Sequence, residues 1–323
     1  MQIIYGLLIF CIILFLYIHV HFHVKTSDDY EILEIDVKPS KDRLEDICDI
    51  KQPVFFDFDN ERILETTNHS VLLETYKAFE LKVRNTNDTD FSSQEIYVTL
   101  PLHAVSKLLG EDKESHYFSE SNQEFLKETG VIKHLQYNDG FLRPYMVSNC
   151  NYDVLIGSEG TCTPFRYHIN YRNYYVVTQG SVQIKLSPPI NSKYLQPCYD
   201  YENFEFRSPV NPWSVQPEFS TDFNKMKCLD ITVSAGKTVH IPAYWWYSIK
   251  FSKDSSISSF KYRTYMNNIS ILRELGMHIL QLQNIKREVT QKMNIKELNK
   301  EPLVDEKERD KERDKETDKE TDK

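Results

Sequence analysis

Short segments rich in tyrosine, phenylalanine, valine and isoleucine recur along the chain, and most are bounded by glycine or proline. They lie at 53–58, 96–100, 152–157, 174–189, 228–246 and 257–266. Aromatic and β-branched side chains favour strands, and regularly spaced segments of this kind are typical of a sandwich or barrel. Helical patterns lie between them at 102–109 and 122–135. We therefore predict a mainly β fold with helical additions.

The amino end is a long apolar segment. Residues 3–18 carry no charged side chain, and the apolar character continues to Val24, interrupted only by His19, His21 and His23. A helix of this length spans the roughly 30 Å of a bilayer core. A cleaved secretory signal expects a basic start and small residues at the cleavage site, whereas bulky residues follow here. We predict that residues 1–24 form a retained transmembrane anchor, with Ile3–Val24 in the bilayer, of a single-pass membrane protein.

The rest of the chain divides by composition into a linker at 25–44, a folded domain at 45–290 and a charged tail at 291–323. The tail repeats a four-residue motif of charged and polar residues from 307 to 322. A segment without apolar residues cannot pack, so we expect disorder there. Apolar residues at helical spacing within 269–298 predict a helix that covers the core, contacts a partner protein or forms a homodimer.

Charge and cysteine content exclude some classes of protein. The net charge of −9 opposes binding to nucleic acid, which needs a basic face. The six cysteines include no C-x-x-C pair, so neither a zinc site nor a disulfide framework is indicated. Glycosylation sequons at Asn68, Asn87 and Asn268 leave the orientation of the domain open, since they matter only in a lumen.

Two blocks of sequence carry a family resemblance. They are 152–189, which reads YDVLIGSEGTCTPFRYHINYRNYYVVTQGSVQIKLSPP, and 234–251, which reads SAGKTVHIPAYWWYSIKF. Together they resemble the cupin-like, Jumonji-C-type and asparaginyl-hydroxylase-like family over residues 45 to 290. The resemblance implies a double-stranded β-helix, the cupin or jelly-roll barrel. The blocks look closer still to membrane-anchored cupin-like proteins of large DNA viruses, which would imply a virion membrane or a host endomembrane.

Catalytic members of this family bind Fe(II) and 2-oxoglutarate through an H-x-D pair and a distal histidine. On this sequence the first histidine falls on Arg166, the aspartate on His168 and the distal histidine on Tyr247. The lysine that binds the cosubstrate falls on Val182. A guanidinium has no lone pair to donate and keeps its positive charge, so Arg166 cannot bind iron. We therefore predict no catalytic iron and no cofactor.

Three alternatives remain open at this site. A relocated metal site would combine His168 and His240 with an acid such as Asp230. A degenerate pocket would instead bind a carboxylate or phosphate. Its candidate residues are Thr163, Arg166, His168, Lys185, Tyr247 and Lys261, with Arg263 nearby. In the third alternative, Arg166 pairs with Glu159 or another acid and simply fills the barrel.

The sequence favours a membrane-anchored, non-catalytic cupin-like domain that acts as a binding or assembly module. The alternative is an Fe(II)/2-oxoglutarate oxygenase, of the hydroxylase or demethylase kind, with relocated ligands. Whether the chain is an enzyme is left open. The step from fold to function is analogy, because one fold hosts many functions.

Overall fold

The computed structural model of the protein describes residues 2–35, 39–58, 60–86 and 97–283. The helices are α1 (Gln2–Val24), α2 (Lys41–Cys48), α3 (Glu61–Thr66), α4 (His69–Tyr76), α5 (Leu102–Glu111), α6 (Gln123–Glu128), α7 (Val131–Asn138), α8 (Ser220–Phe223), α9 (Tyr265–Ser270) and α10 (Leu272–Gln283), with a 3₁₀ turn at Pro189–Tyr194. The strands are β1 (Leu33–Ile35), β2 (Val54–Asp57), β3 (Glu80–Asn85), β4 (Val98–Pro101), β5 (Tyr117–Ser119), β6 (Val147–Gly157), β7 (Arg166–Tyr167), β8 (Arg172–Gln179), β9 (Ser181–Ser187), β10 (Cys198–Asp200), β11 (Glu205–Arg207), β12 (Leu229–Ser234), β13 (Lys237–His240), β14 (Trp246–Phe251) and β15 (Ser256–Thr264).

Within the described residues, these strands form two sheets. One has nine strands in the order β1-β2-β13-β8-β15-β6-β5-β3-β4, and the other has six in the order β10-β11-β7-β14-β9-β12. The β1–β2 pair is parallel, and the other pairs are antiparallel. Strands that follow one another in sequence, such as β7 and β8 or β13 and β14, lie in opposite sheets. This arrangement confirms the predicted mainly β barrel with helical additions.

The barrel interior follows from the alternation of side chains along each strand. On β9, Val182, Ile184 and Leu186 are buried, whereas Gln183 between them is exposed. They pack against inward side chains of the larger sheet, such as Val177 of β8. Because side chains of a strand point alternately to its two faces, this core fills the space between the sheets.

A second core lies on the outer face of the nine-stranded sheet. There Tyr174 and Val176 of β8 pack with apolar residues of helices α2 to α7, such as Leu44 and Leu126. The neighbouring residue Tyr175 belongs instead to the barrel interior. The same strand therefore separates a helix-covered face from the inside of the barrel.

Glycines with positive φ explain two local features. Gly180, with φ of +68°, turns β8 into β9, and a Cβ there would lie 3.1 Å from the carbonyl oxygen of Asp254. Gly130, with φ of +74°, divides the helical segment predicted at 122–135 into α6 and α7. Glycine adopts this backbone conformation without the steric cost that a Cβ brings.

The segment interpreted as a linker, 25–44, is part of the fold. It contains β1, which pairs with β2, and the start of α2. The hydroxyl of Tyr30 also donates a hydrogen bond to Oδ1 of Asn191 at 3.0 Å. The strand pairing reaches the amino-terminal side of residue 45, so the folded part begins earlier than the sequence suggested.

The two ends of the described chain are helical. α1 is long and apolar enough to cross a bilayer, a property that a signal sequence shares. At the other end, the helix predicted over 269–298 is present as α9 and α10 as far as Gln283. Residues 284–298 and the predicted tail at 291–323 lie outside the described residues.

Candidate functional site

A polar cavity of about 460 Å³ opens at one end of the barrel. Its wall is formed by β6, β15 and the β7 segment, together with β11 and the turn that follows β5. Of the side chains that line it, the charged ones and the histidine are Lys82, Glu120, Asp153, Arg166, His168, Glu205, Lys261 and Arg263. Two of the three positions that the resemblance assigns to iron ligands, Arg166 and His168, are therefore at this cavity.

Arg166 is held in a buried ion cluster. Its guanidinium donates two hydrogen bonds to the carboxylate of Glu120, one of them from Nη1 to Oε1 at 2.9 Å. Glu205 lies 3.5 Å from Arg166 Nη1 and 2.8 Å from Nη1 of Arg84. All four side chains are less than one-tenth exposed. The cluster contains two cations and two anions, so its formal charge is balanced.

The cluster fixes the ionisation of its members. Burial alone would raise the pKa of Glu120, but the charges and hydrogen bonds of Arg166 and Arg84 lower this pKa to about 2. Burial would lower the pKa of Arg166, and the carboxylate of Glu120 raises it well above its ordinary value instead. Glu120 is therefore a carboxylate and Arg166 a cation at any physiological pH.

His168 ends a chain of hydrogen bonds that begins inside the barrel. The hydroxyl of Tyr175 donates to the hydroxyl of Tyr247 at 2.7 Å, and Tyr247 lies 2.7 Å from Nε2 of His168. Burial, reinforced by Lys261 and Arg166, lowers the pKa of His168 well below its ordinary value. Tyr247 and Nε2 of His168 thus share one hydrogen bond, so this nitrogen already has a partner.

One wall of the cavity carries an acid with strong backbone partners. The carboxylate of Asp153 accepts hydrogen bonds from the backbone nitrogens of Ser121 and Asn122, at 2.8 and 2.7 Å. Burial nevertheless raises the pKa of Asp153 to about 6, against the effect of Lys261 and these hydrogen bonds. Asp153 holds the turn after β5, which also carries Glu120.

Lys261 and Arg263 project into the cavity from alternate positions of β15. Arg263 donates from Nε to Oδ1 of Asn170 at 2.7 Å, and its guanidinium lies 4.8 Å from the centre of the Phe204 ring. Among the described residues, the ammonium group of Lys261 makes no hydrogen bond and no ion pair, but the carboxylates of Asp153, Glu120 and Glu205 act on its charge from the cavity wall. Burial and the nearby Arg166 lower the pKa of Lys261 to about 8. Its ammonium group is thus a cation of this cavity that has no direct ion pair among the described residues, although the carboxylate of Asp153 acts on its charge.

Two of the candidate pocket residues lie elsewhere. Thr163 contacts β14, where its Oγ1 accepts a hydrogen bond from the backbone nitrogen of Ile249 at 2.9 Å. Lys185 is on the outer side of β9 and donates to the carbonyl oxygen of Pro212 at 3.1 Å. Neither residue lines this cavity, because strand alternation turns Lys185 outward and the hydroxyl of Thr163 accepts a structural hydrogen bond.

The relocated metal site is also not assembled. The ring of His240 lies 5.0 Å from that of Tyr174, on the helix-covered face of the sheet. His168 contacts Tyr247, which belongs to the barrel interior. Asp230 is exposed and lies 4.0 Å from Lys185. These three side chains therefore face three different directions.

Arg166 was predicted to pair with Glu159 or another acid, and the acids that it contacts are Glu120 and Glu205. Glu159 lies in a turn, where its backbone oxygen accepts a hydrogen bond from Ser115, and it does not line the cavity. The carboxylates that pair with Arg166 come from residues 120 and 205, far away in sequence. One sequence feature could have indicated this polar cavity. Asp153 is a charged residue within the otherwise apolar strand segment 152–157.

The comparisons with known proteins agree with this architecture. The family model described as a cupin-like domain matches residues 28–267. The comparison with curated proteins gives no match. The matched segment runs from just before β1 to α9, and it includes both sheets and the cavity. The chain therefore belongs to the cupin-like domain family.

Proposed function

We propose that this chain is a membrane-anchored, non-catalytic cupin-like domain whose barrel mouth binds an anionic group. The observation that carries the proposal is the buried ion pair of Arg166 and Glu120, at the position where the resemblance expects the first iron ligand. A salt bridge of this kind fixes a permanent cation in the mouth. Lys261, which lines the same cavity and has no direct ion pair among the described residues, supplies the cation for binding.

The residues present do not fit a ferrous ion. Arg166 has no lone pair, and its charge repels a dication. The nearest acid, Glu120, is engaged by two arginines, and Nε2 of His168 is engaged by Tyr247. Ferrous sites of this family type need two histidines and a carboxylate with free lone pairs. We derive no step that passes through iron.

An oxygenase with relocated ligands is the competing proposal, and the geometry does not favour it. Metal–ligand bonds to imidazole nitrogen are about 2 Å long, so the ligands must converge on one point. His168 follows β7 of the six-stranded sheet and contacts Tyr247 inside the barrel, whereas His240 packs against Tyr174 on the helix-covered face of the larger sheet. Consumption of 2-oxoglutarate by the purified chain in the presence of Fe(II) would support the oxygenase proposal and contradict ours.

Lys261 supports a carboxylate or phosphate as the ligand. Its ammonium group and the guanidinium of Arg263 reach the same cavity from alternate residues of one strand. Asn149 and Asn151 line the cavity from the neighbouring strand, β6, where Asn151 is the register partner of Lys261. Amide and ammonium groups together can donate several hydrogen bonds to one anion. The buried Arg84–Glu120–Arg166–Glu205 cluster contributes a rigid, neutral floor.

A thermal-shift experiment tests this assignment. Citrate, succinate and phosphate should raise the melting temperature of the full chain in detergent, because a ligand that binds only the folded state stabilises it. Lys261→Gln should abolish this shift. Lys185→Gln is the matched control, since it removes the same charge from the outer side of the barrel, and it should leave the shift unchanged. No shift in the unchanged chain, or an equal shift in Lys261→Gln, would contradict the proposal.

The membrane anchor is supported by the length and apolar character of α1. A retained anchor predicts that the amino-terminal residues are still present in chain purified from eukaryotic membranes, and intact-mass measurement checks this. A mass that lacks the first helix would indicate a cleaved signal. The narrower relation to viral membrane proteins remains part of this proposal.

A further inference from the structure

The last third of α1 packs against the folded body. Leu16, His19, Val20 and His23 are half-buried, and they follow the spacing of one helix face. α9 lies against α1. The ring of His23 is 5.0 Å from that of Tyr171, the residue before β8.

Further contacts hold the end of this helix. The ammonium group of Lys51 lies 4.5 Å from the centre of the Phe22 ring and 4.7 Å from that of Tyr171. Nε2 of His23 lies 3.5 Å from Oγ1 of Thr264, at the end of β15. α1 therefore joins the domain as a docked helix and not through a free linker.

The docked part leaves too little helix to cross a bilayer alone. Residues 2–15 form the part of α1 that is exposed throughout. At about 1.5 Å per residue they extend roughly 21 Å, whereas the hydrocarbon core is about 30 Å thick. The remaining 9 Å or so must come from the docked segment. The surface of the domain beside that segment must then lie at the same depth.

That surface is apolar. Tyr265 and Ile269 of α9 are 58% and 40% exposed, and Leu272, at the start of α10, is 67% exposed. Met146 is 71% exposed, and its carbonyl oxygen accepts a hydrogen bond from the backbone nitrogen of Tyr265 at 3.3 Å. We call these four residues the α9 surface. Tyrosine beside aliphatic side chains is a typical composition for the boundary between lipid and water.

We infer that the α9 surface lies in the interfacial layer of the bilayer that α1 crosses. The inference rests on the proposed anchor. Lipid is the expected occupant because α9 contacts α1, so a spanning α1 fixes the depth of α9. Interfacial helices bury their apolar side about 5–10 Å into this layer, which matches the missing length.

Quenching by brominated lipids tests the inference on the full chain in vesicles. Ile269→Trp and Leu272→Trp place a fluorophore on the α9 surface, and the signal is taken as the difference from the unchanged chain. Val98→Trp is the matched control, because Val98 is an equally exposed aliphatic residue on β4 at the edge of the larger sheet. Phe10→Trp reports insertion of α1 itself.

Phe10→Trp should be quenched by bromines deep in the acyl chains. Ile269→Trp and Leu272→Trp should lose about half or more of their added fluorescence to bromines near the head groups, as expected for interfacial depth. Val98→Trp should lose none. Quenching of Phe10→Trp alone overturns the inference and leaves the anchor standing, and it would direct attention to a second copy as the occupant. Absence of quenching at Phe10→Trp overturns the anchor and the inference together.

Discussion

Two buried arginines, Arg166 and Arg172, give the barrel two ion clusters with different surroundings. Arg166 pairs with Glu120 beside an open cavity. Arg172 is fully buried and binds Glu45 and Asp49 of the α2 region, while its guanidinium stacks 4.0 Å from the centre of the Tyr171 ring. The second cluster ties a helix to the sheet and does not line this cavity.

The comparison separates charges that are neutralised within the fold from the charge to which we assign ligand binding. Both arginines are neutralised, so neither is by itself a binding group. The two neighbourhoods differ in the surroundings of the lysine that lies beside each arginine. Beside Arg166, Lys261 lines the cavity, and its ammonium group has no hydrogen bond or direct ion pair among the described residues, although Asp153 acts on its charge. Beside Arg172, the neighbouring Lys51 is covered by the aromatic rings of Phe22 and Tyr171.

The largest expected effect on stability comes from removing an acid of the Arg84–Glu120–Arg166–Glu205 cluster at the barrel mouth. Glu120→Ala leaves two buried guanidinium groups that share only Glu205, and we expect a loss of about 3–5 kcal/mol in the free energy of unfolding. Glu45→Ala should cost about 1 kcal/mol, because Arg172 keeps Asp49 and Glu45 is less deeply buried. Urea denaturation of both variants measures the difference. Equal losses would show that the two clusters do not differ as described.

Acid pH should lower the stability of the fold by protonating Glu120 in the Arg84–Glu120–Arg166–Glu205 cluster. The folded-state pKa of Glu120, about 2, lies below its ordinary value of 4.5. The stabilisation is therefore complete above pH 4.5 and is lost as the pH falls through 2. Glu120→Gln should remove this part of the acid dependence, whereas Glu45→Gln should retain it. Thermal unfolding between pH 2 and 6 provides the measurement, and an unchanged acid limb in Glu120→Gln would contradict the assigned pKa.

A smaller effect is expected from two tyrosines, of which Tyr247 lies inside the barrel and Tyr174 lies on the helix-covered face of the larger sheet. Tyr247→Phe leaves the hydroxyl of Tyr175 and Nε2 of His168 without their shared partner, at a cost of about 1–3 kcal/mol. Tyr174→Phe removes only a contact of 3.7 Å to the sulfur of Cys48 and should cost less than about 1 kcal/mol. Chemical denaturation compares the two variants. A larger cost for Tyr174→Phe would reverse the roles that we assign to these faces.

The smallest effect concerns the ligand and its pH dependence. Lys261 has a pKa of about 8, so it is mostly protonated at pH 7 and mostly neutral at pH 9. An anion should therefore raise the melting temperature less at pH 9 than at pH 7. Phosphate is unsuitable here because its own charge changes in this range, so succinate is used. A succinate shift that is constant from pH 7 to 9 would mean that Lys261 is not the binding cation.

The sequence was sufficient for the barrel but not for its mouth. Strand segments such as 174–189 carry their own pattern of alternation and turn residues, so β8 and β9 were predictable. Glu120 and Glu205 have no local pattern of this kind. They reach Arg166 only because β5 and β11 bring distant turns to one end of the barrel. Lys185 and His240 lie away from the cavity for a related reason, since residue type does not tell which face of a strand points inward.

The central claim is that a fixed ion pair, and not a metal, occupies the mouth of this barrel. Titration of the full chain with Mn(II), followed by the electron paramagnetic resonance signal of free Mn(II), tests this claim most directly. We predict that the signal rises with added metal as it does in buffer alone, at micromolar concentrations and with 2-oxoglutarate present. Stoichiometric loss of the free signal that His168→Ala restores would contradict the claim.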